Sequence, residues 1–251
     1  MKHAPSRLAL FALVLAAGCA GPTAGAGAPD AAAPASPMDT SGDRATTPDG
    51  INDGFLSDDL DPMAFVNRWE VESREIYASR DEILDAIGLQ LGDRIADIGS
   101  GTGLFLAPFS EAVGDAGQVL AVDISPNFIE HLRARVADEG LENVTVVHSR
   151  EDSATLPTAS ADAAFVCDTY HHFTDIAPML GSLRDALRPG GTLVVVDFER
   201  IPGVSREWIL GHVRAGKQTF RAEIQAHGFD FVEEVEVAGL EENYFLRFVR
   251  P

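Results

Sequence analysis

Three glycines at alternate positions follow a short apolar run in the stretch ADIGSGTGLFLAPF, residues 96–109. Gly99, Gly101 and Gly103 have no side chain, so the backbone here can adopt positive φ and approach a bound group closely. An apolar helix pattern begins at Leu104, and the first turn of a helix offers free N–H donors. The stretch is therefore a candidate ligand-binding turn between a buried strand and a helix.

Neighbouring acidic residues indicate the kind of ligand. A P-loop ends in Gly-Lys-Ser/Thr, but Leu104 and Phe105 follow the third glycine here. A dinucleotide fingerprint is G-x-G-x-x-G, whereas this loop is G-x-G-x-G and is preceded by Asp97, which would repel phosphate and attract a cation. Asp123 ends the next apolar run, at about the 20-residue spacing of an acid that binds ribose hydroxyls. The pattern indicates a ligand with a cation and a ribose, and S-adenosylmethionine has both.

Over roughly residues 62–251, the chain resembles the class I S-adenosylmethionine-dependent methyltransferases. The matching motifs are ADIGSGTG (96–103), VLAVDISP (119–126), LPTASADAAFVCD (156–168) and LRPGGTLVVVDF (187–198). The segment DTYHHF (168–173) is similar to the branch that includes quinone-biosynthesis methyltransferases. The resemblance implies methyl transfer from S-adenosylmethionine to a small-molecule acceptor.

The resemblance also implies a set of cofactor-binding residues. Those at the methionine end would be Asp97, Gly99, Ser100, Gly101 and Gly103. Asp123 would bind the ribose, Ile124 would cover the adenine, Asp152 would accept a hydrogen bond from the adenine amine, and Asp168 would complete the site. Glu151, next to Asp152, is a rival for the adenine contact.

Candidate catalytic residues follow the fourth predicted strand, at the edge of the sheet where ligands of open α/β folds bind. Histidine can take a proton near neutral pH, which methyl transfer needs only when the acceptor must be deprotonated. We expect His171 or His172 to face the substrate, with Tyr170 in the same group; the alternative is that the histidines only cap the next helix and pack the loop. No metal site is expected, because adjacent histidines on a loop lack the i, i+4 spacing and no further His/Cys cluster is evident.

Alternating strand and helix patterns predict the fold that positions these residues. They indicate a doubly wound, Rossmann-like α/β domain with a seven-stranded, mostly parallel sheet and an antiparallel C-terminal hairpin. The predicted strands are 94–98, 118–123, 144–148, 162–167, 192–198, 231–237 and 244–249. The predicted helices are 62–77, 80–87, 104–113, 127–139, 176–187, 205–213 and 220–227. In the first of them, Arg74 or Tyr77 would contact substrate if this segment covers the site.

The N-terminal segment resembles the signal of a bacterial lipoprotein. Basic residues precede an apolar run, and small residues then lead into Cys19, so residues 1–19 are expected to be a signal peptide. Residues 20–60 are rich in Ala, Pro and Gly and are expected to form a disordered tether, and 61–251 to form the domain. The predicted location is the cell envelope, facing the periplasm or the outside, with attachment to the membrane only through a lipid on Cys19.

The net charge argues against some binding partners, and the loop sequence argues against one rival function. The 251 residues carry a formal net charge of −20, which disfavours binding to nucleic acid and to acidic lipid surfaces. A dinucleotide-dependent oxidoreductase is disfavoured by the loop spacing and by Asp97. The remaining alternative is an exported, non-catalytic binding module that retains the methyltransferase fold.

Overall fold

One sheet of seven strands organises the protein, for which a computed structural model describes residues 43, 44 and 46–251. The strands are β1 (Arg94–Ile98), β2 (Gln118–Asp123), β3 (Val144–His148), β4 (Ala161–Cys167), β5 (Leu187–Phe198), β6 (Asp230–Glu234) and β7 (Asn243–Val249). The helices are α1 (Pro62–Trp69), α2 (Glu75–Ala78), α3 (Arg80–Ile87), α4 (Leu106–Val113), α5 (Pro126–Glu139), α6 (Ile176–Ala186), α7 (Glu207–His212) and α8 (Lys217–Ala226). A 3₁₀ turn spans Tyr170–His172.

The strand order is β3-β2-β1-β4-β5-β7-β6. The pairs from β3 to β5 are all parallel, whereas β7 is antiparallel to both β5 and β6. This confirms the predicted doubly wound sheet with its antiparallel C-terminal hairpin. Chain order reverses between β1 and β4, and such a switch point opens a crevice at the carboxyl ends of the strands.

Alternation along the strands fills a core on each face of the sheet. In β1, Ala96 and Ile98 belong to one buried cluster and Ile95 to the other. The central strand β5 follows the same rule, with Val195 on one face and Val196 on the other, both fully buried. Both faces of the sheet are covered, and the central strands are accordingly mostly apolar, as in other parallel sheets.

Local sequence fixes the helix that follows β2. Ser125 caps α5 by accepting a hydrogen bond from the Phe128 N–H, and Pro126 occupies the first helical position. Gly140 ends the helix in the left-handed conformation, with φ of 66°. These signals hold the residues at the end of β2 in a fixed position beside the crevice.

Several predicted boundaries shift by up to three residues, such as the end of β6 at Glu234 rather than at 237, and two differ by more. The single helix predicted over 62–77 is divided, because α1 ends at Trp69 and the chain turns before α2 begins at Glu75. The turn lets the side chain of Arg74 reach Asp168 at the end of β4. Strand β5 begins at Leu187 rather than at residue 192. Leu187 pairs with Ala161 of β4, and this extra pair lengthens the strand at its start, with an irregular register before the next pair.

The packed domain starts before residue 61, where the tether was predicted to end. Leu60 is buried, Phe55 packs against Phe128 of α5, and Asn52 is hydrogen-bonded to His172. The backbone N–H of Arg44 donates to the carbonyl of Arg214 at 2.7 Å. The signal peptide, Cys19 and most of the predicted tether lie outside the described residues. Within the described part of the chain, no helix combines the length and apolar character needed to cross a membrane.

Candidate active site

The glycine loop closes tightly over the end of β1. Gly99, Gly101 and Gly103 all have positive φ, at 77°, 53° and 86°, as their lack of a side chain allows. The N–H groups of Gly99 and Ser100 both donate to the carbonyl of Val122 in β2. The loop therefore lies across the carboxyl ends of β1 and β2 and presents its backbone to the crevice.

Asp123 ends β2 and holds the loop in place. One of its carboxylate oxygens accepts a hydrogen bond from the Gly101 N–H at 2.8 Å, and the other accepts one from the Ser125 N–H at 2.8 Å. Burial raises the pKa of Asp123, and these backbone donors oppose that shift. Each oxygen retains a second lone pair, so the carboxylate can still accept hydrogen bonds from ribose hydroxyls.

Asp97 lies at the other side of the same loop. Its side chain is buried, and burial raises its pKa to about 7. Ser100 Oγ donates to the backbone carbonyl of Asp97 at 2.9 Å, which turns the loop back over the strand. A bound cation would favour the ionised form of this carboxyl.

A cavity of about 150 Å³ adjoins the loop. Residues predicted to bind the cofactor that line it are Asp97, Gly99, Ser100, Gly101, Asp123, Ile124 and Asp168. Ligand pockets usually enclose about 300–1,000 Å³, and aromatic side chains narrow this one. Trp69 lies so close to Gly101 that a Cβ there would be 3.1 Å from its ring. The chemistry of the loop fits a cationic nucleoside, and Trp69 must move outward to admit a ligand of that size.

A second, larger cavity of about 880 Å³ opens beside the first. The side chains that line both are Phe55, Trp69, Arg74, Ile76, Asp168 and His172. The larger cavity also exposes the rings of Phe198 and Trp208 and the acids Glu241 and Glu242. A small molecule in it would lie directly beside a ligand on the glycine loop.

Asp168 stands where the two cavities meet. It has a φ of 46°, in the left-handed region that non-glycine residues seldom adopt, and such backbone strain is common at functional sites. Its carboxylate pairs with Arg74 and accepts a hydrogen bond from Asn243 Nδ2. Burial raises the pKa of Asp168, and Arg74 opposes that shift. Asp168 thus joins the N-terminal segment, β4 and β7 around the site.

His171 forms a buried pair with Asp197 at the end of β5. His171 Nδ1 lies 2.7 Å from Asp197 Oδ1, and the backbone N–H of His171 donates to Asp197 Oδ2 at 3.1 Å. The Phe198 N–H also donates to Oδ1, at 2.7 Å. A carboxylate accepts hydrogen bonds only, so Nδ1 of His171 carries a proton and donates it to Asp197.

His172 and His212 complete a group of three imidazoles in the larger cavity. His172 Nδ1 lies 3.1 Å from Asn52 Oδ1, while its Nε2 lies 3.4 Å from Nε2 of His212. Burial lowers the pKa of His172 well below its usual value and that of His212 to about 4, with further lowering from the neighbouring imidazoles. Both rings are therefore neutral near pH 7.

Three predicted site residues lie elsewhere. Tyr170 is fully buried, packs against Phe220 and donates its hydroxyl proton to Glu223, and burial raises its pKa. Asp152 is exposed and pairs with Arg150 at 3.0 Å. Gly103 turns the loop where a Cβ would meet Leu106 and Leu132 at 3.0 Å. The cofactor role of Asp152 and the catalytic role of Tyr170 stay predictions that these positions do not support.

The structure adds site residues that the sequence analysis did not predict. Asn52 comes from the predicted tether, Asp197 from the end of β5, and Asn243 from the start of β7. Asp197 could have been found from its place at a strand end, where polar residues in an otherwise apolar run face the crevice. His212 is 40 residues from His172 in the chain, and only the fold brings their rings together.

Comparisons with known proteins find methyltransferases among the similar sequences. Residues 95–191 match the model of a family described as "Methyltransferase domain". The ubiquinone/menaquinone biosynthesis C-methyltransferase UbiE of Serratia proteamaculans is 31% identical over 118 residues, which are 47% of each chain. The chain thus spans about half the length of the curated relatives it matches.

Solved structures share the fold over a longer part of the chain. A S-adenosylmethionine-dependent methyltransferase from Aquifex aeolicus superposes with a TM-score of 0.66 at 22% identity, covering 76% of this chain and all of that one. Geranyl diphosphate C-methyltransferase from Streptomyces coelicolor, solved with Mg²⁺, geranyl-S-thiolodiphosphate and S-adenosyl-L-homocysteine, has a TM-score of 0.58 at 11% identity, covering 79% of this chain and 84% of that one. Residues 95–191 therefore match a methyltransferase domain, and the chain has the fold of S-adenosylmethionine-dependent methyltransferases.

Proposed function

We propose that the protein transfers the methyl group of S-adenosylmethionine to a small molecule bound in the larger cavity. The observation that carries this proposal is the shared wall of the two cavities, formed in part by Asp168 and His172. When bound, S-adenosylmethionine supplies a methyl group on a positively charged sulfur. The task of the chain is then to hold both partners in line and to exclude water.

The carboxylates of the smaller cavity would hold the cofactor. Asp123 is placed to accept hydrogen bonds from the ribose, and Asp97 to offset the positive charge. Trp69 and Phe55 would cover the cofactor once it is bound. The ion pair between Arg74 and Asp168 would attach this N-terminal segment to the sheet. Water would thereby be kept from the reacting groups.

The lining of the larger cavity suits an aromatic acceptor that carries a hydroxyl group. Phe198, Trp208 and Trp69 offer ring faces for stacking, and the histidines offer nitrogen lone pairs to a hydroxyl proton. The name of the UbiE relatives points to quinone precursors, which belong to this chemical class. The proton of such an acceptor would be taken at the histidine group.

Transfer of a deuterated methyl group tests the proposal. The full chain would be incubated with S-adenosylmethionine labelled as CD₃ and an extract of cellular small molecules or a panel of hydroquinones. We expect products that carry the CD₃ increment by mass spectrometry, made by the wild type and by His227→Ala but not by Asp123→Ala. Equal labelling by the wild type and Asp123→Ala would show that the pocket is not the source of the transfer.

A non-catalytic binding module is the second candidate, and the narrow smaller cavity favours it. If Trp69 stays over the glycine loop, the cofactor cannot enter and the larger cavity alone would take a ligand. Such a module would bind small aromatic compounds and show no affinity for S-adenosylmethionine. A titration with the cofactor therefore separates the two candidates.

We further propose that the protein is anchored in the cell envelope by a lipid on Cys19. Support comes from the basic, apolar and small residues that precede this cysteine. Replacing Cys19 by Ala is expected to move the protein from the membrane fraction to the soluble fraction of cells. If the Cys19→Ala variant stayed in the membrane fraction, the lipid anchor would be refuted.

A further inference from the structure

Three histidines of the described chain converge in the larger cavity. His171 and His172 lie in the 3₁₀ turn after β4, and His212 ends α7. One ring nitrogen from each lies within 4.8 Å of those of the other two. The methyl transfer proposed above does not require three imidazoles at one point.

Their spacing matches that of metal ligands. Zinc–nitrogen bonds of about 2.0–2.1 Å in a tetrahedral site place two ligand nitrogens about 3.4 Å apart. The Nε2 atoms of His172 and His212 are 3.4 Å apart.

Hydrogen bonds to Nδ1 orient the first two rings. Asp197 binds Nδ1 of His171 at 2.7 Å, which is the carboxylate–histidine arrangement found behind metal ligands. Asn52 Nδ2 donates to the carbonyl of His172, and Oδ1 of Asn52 then faces Nδ1 of the same ring. Both histidines thus use Nδ1 as a donor, which leaves Nε2 as the atom that each would offer to an ion.

The third ring is held by packing. The indole of Trp208 stacks on His212 with ring centroids 4.8 Å apart and an angle of 21° between the planes. The carboxyl group of Asp197, which is buried against His171, is the acidic group that contacts this cluster directly. The cavity therefore brings three imidazole nitrogens together beside a carboxylate that contacts one of the rings.

We propose that His171, His172 and His212 bind one divalent first-row transition metal ion, with zinc as the best match. Three imidazoles suit zinc and its neighbours rather than Mg²⁺ or Ca²⁺, which take oxygen ligands. All three rings line the larger cavity, so a fourth coordination position opens into it. The ligand that fits there is an oxygen donor, either water or, if the proposed function holds, the hydroxyl group of the acceptor. With the ion bound, the imidazole lone pairs are occupied, so the ion would replace the histidines as the group that activates this hydroxyl.

Metal binding by the full chain, purified without a histidine tag and treated with a chelator, tests the site directly. Zn²⁺ alone would be titrated and the bound ion counted by equilibrium dialysis, and Co²⁺ would serve as a spectroscopic probe of tetrahedral coordination. We expect one ion per chain and intense visible Co²⁺ bands for the wild type and for the control His227→Gln. In His212→Gln we expect at least a 100-fold weaker affinity, since even the loss of a partner behind a ligand costs about 10–100-fold.

Asp197 is a positioning residue in this proposal. Asp197→Asn is expected to weaken zinc binding by about 10–100-fold and to leave one ion per chain at saturation. Absence of stoichiometric metal in the wild type, or equal affinity in the wild type and His212→Gln, would overturn the site.

Titration of the same samples with S-adenosylmethionine keeps this proposal apart from the proposed function. His212 does not belong to the smaller cavity, so His212→Gln is expected to bind the cofactor as the wild type does. Cofactor binding without metal binding would refute only the metal site. Metal binding without cofactor binding would support the site and refute the methyltransferase function.

Discussion

Replacing Asp197 by asparagine tests how the structure holds His171. Asp197 is fully buried and accepts three hydrogen bonds, from Nδ1 and the backbone N–H of His171 and from the backbone N–H of Phe198. Asparagine has nearly the same shape, but one of its two terminal atoms is an NH₂ group that donates rather than accepts. One side of the new side chain must therefore face a donor.

The size of the effect follows from the better of the two amide orientations. With its oxygen at the Oδ1 position, the introduced asparagine would keep the bonds to His171 Nδ1 and Phe198 and leave the backbone N–H of His171 without an acceptor. An unsatisfied buried group costs about 1–3 kcal/mol in the free energy of unfolding. In a domain of this size that corresponds to a fall in melting temperature of roughly 2–12 °C.

Thermal unfolding followed by circular dichroism measures this loss, with Asp138→Asn, at an exposed position on α5, as the control. The control is expected to melt within about 1 °C of the wild type, because surface substitutions change stability little. Methyl transfer by Asp197→Asn should fall while its affinity for S-adenosylmethionine stays close to that of the wild type. A melting temperature and a turnover both equal to those of the wild type would refute the three-bond account of Asp197.

Three further predictions concern the glycine loop and its cover. Asp97 has a pKa of about 7, so the affinity for S-adenosylmethionine should rise from about pH 6 to pH 8 and become weaker and pH-independent in Asp97→Asn, measured by calorimetry. Gly99→Ala should unfold at a lower urea concentration than Gly88→Ala. Both glycines have a φ of 77°, but only at Gly99 would the added Cβ lie 2.4 Å from Thr169 Oγ1. Equal urea midpoints for the two variants would contradict this clash. Trp69→Ala should speed cofactor association at least about threefold in stopped-flow mixing, since the pocket must open first; an unchanged rate would show that Trp69 is no barrier.

The raised pKa of Asp97 also determines how the stability of the cofactor-free protein depends on pH. The raised pKa of Asp97 means that the folded chain binds this proton more tightly than the unfolded chain does. The contribution of Asp97 to the free energy of unfolding therefore decreases as the pH rises from about 4 to about 7. Denaturation midpoints of the wild type should fall more over this range than those of Asp97→Asn.

Much of the sheet was predictable because the strands are apolar on both faces and lie between glycine-rich turns. The first three strands have the bounds that the sequence indicates, at 94–98, 118–123 and 144–148. The loop after β1 and Asp123 could be found for the same reason, since strand ends and chain spacing place them at the edge of the sheet. Short-range patterns are sufficient for residues of this kind.

Contacts between distant segments were not predictable from such patterns. Asn52 reaches His172 across 120 positions of the chain, and His212 reaches it across 40. The turn between α1 and α2 is fixed by the ion pair of Arg74 with Asp168, and helix periodicity alone does not show it. A group of histidines assembled in this way appears in the sequence only as one adjacent pair and one isolated residue.

Calorimetric titration of the full chain with S-adenosylmethionine and S-adenosylhomocysteine tests the central claim most directly. Both are expected to bind with micromolar affinity, about −8 kcal/mol, and Asp123→Ala to show no binding. A melting curve of the variant would check that it is folded, because Asp123 also holds the backbone of Gly101 and Ser125. No heat from either compound with the folded wild type would contradict the account and would direct the search for a ligand to the larger cavity.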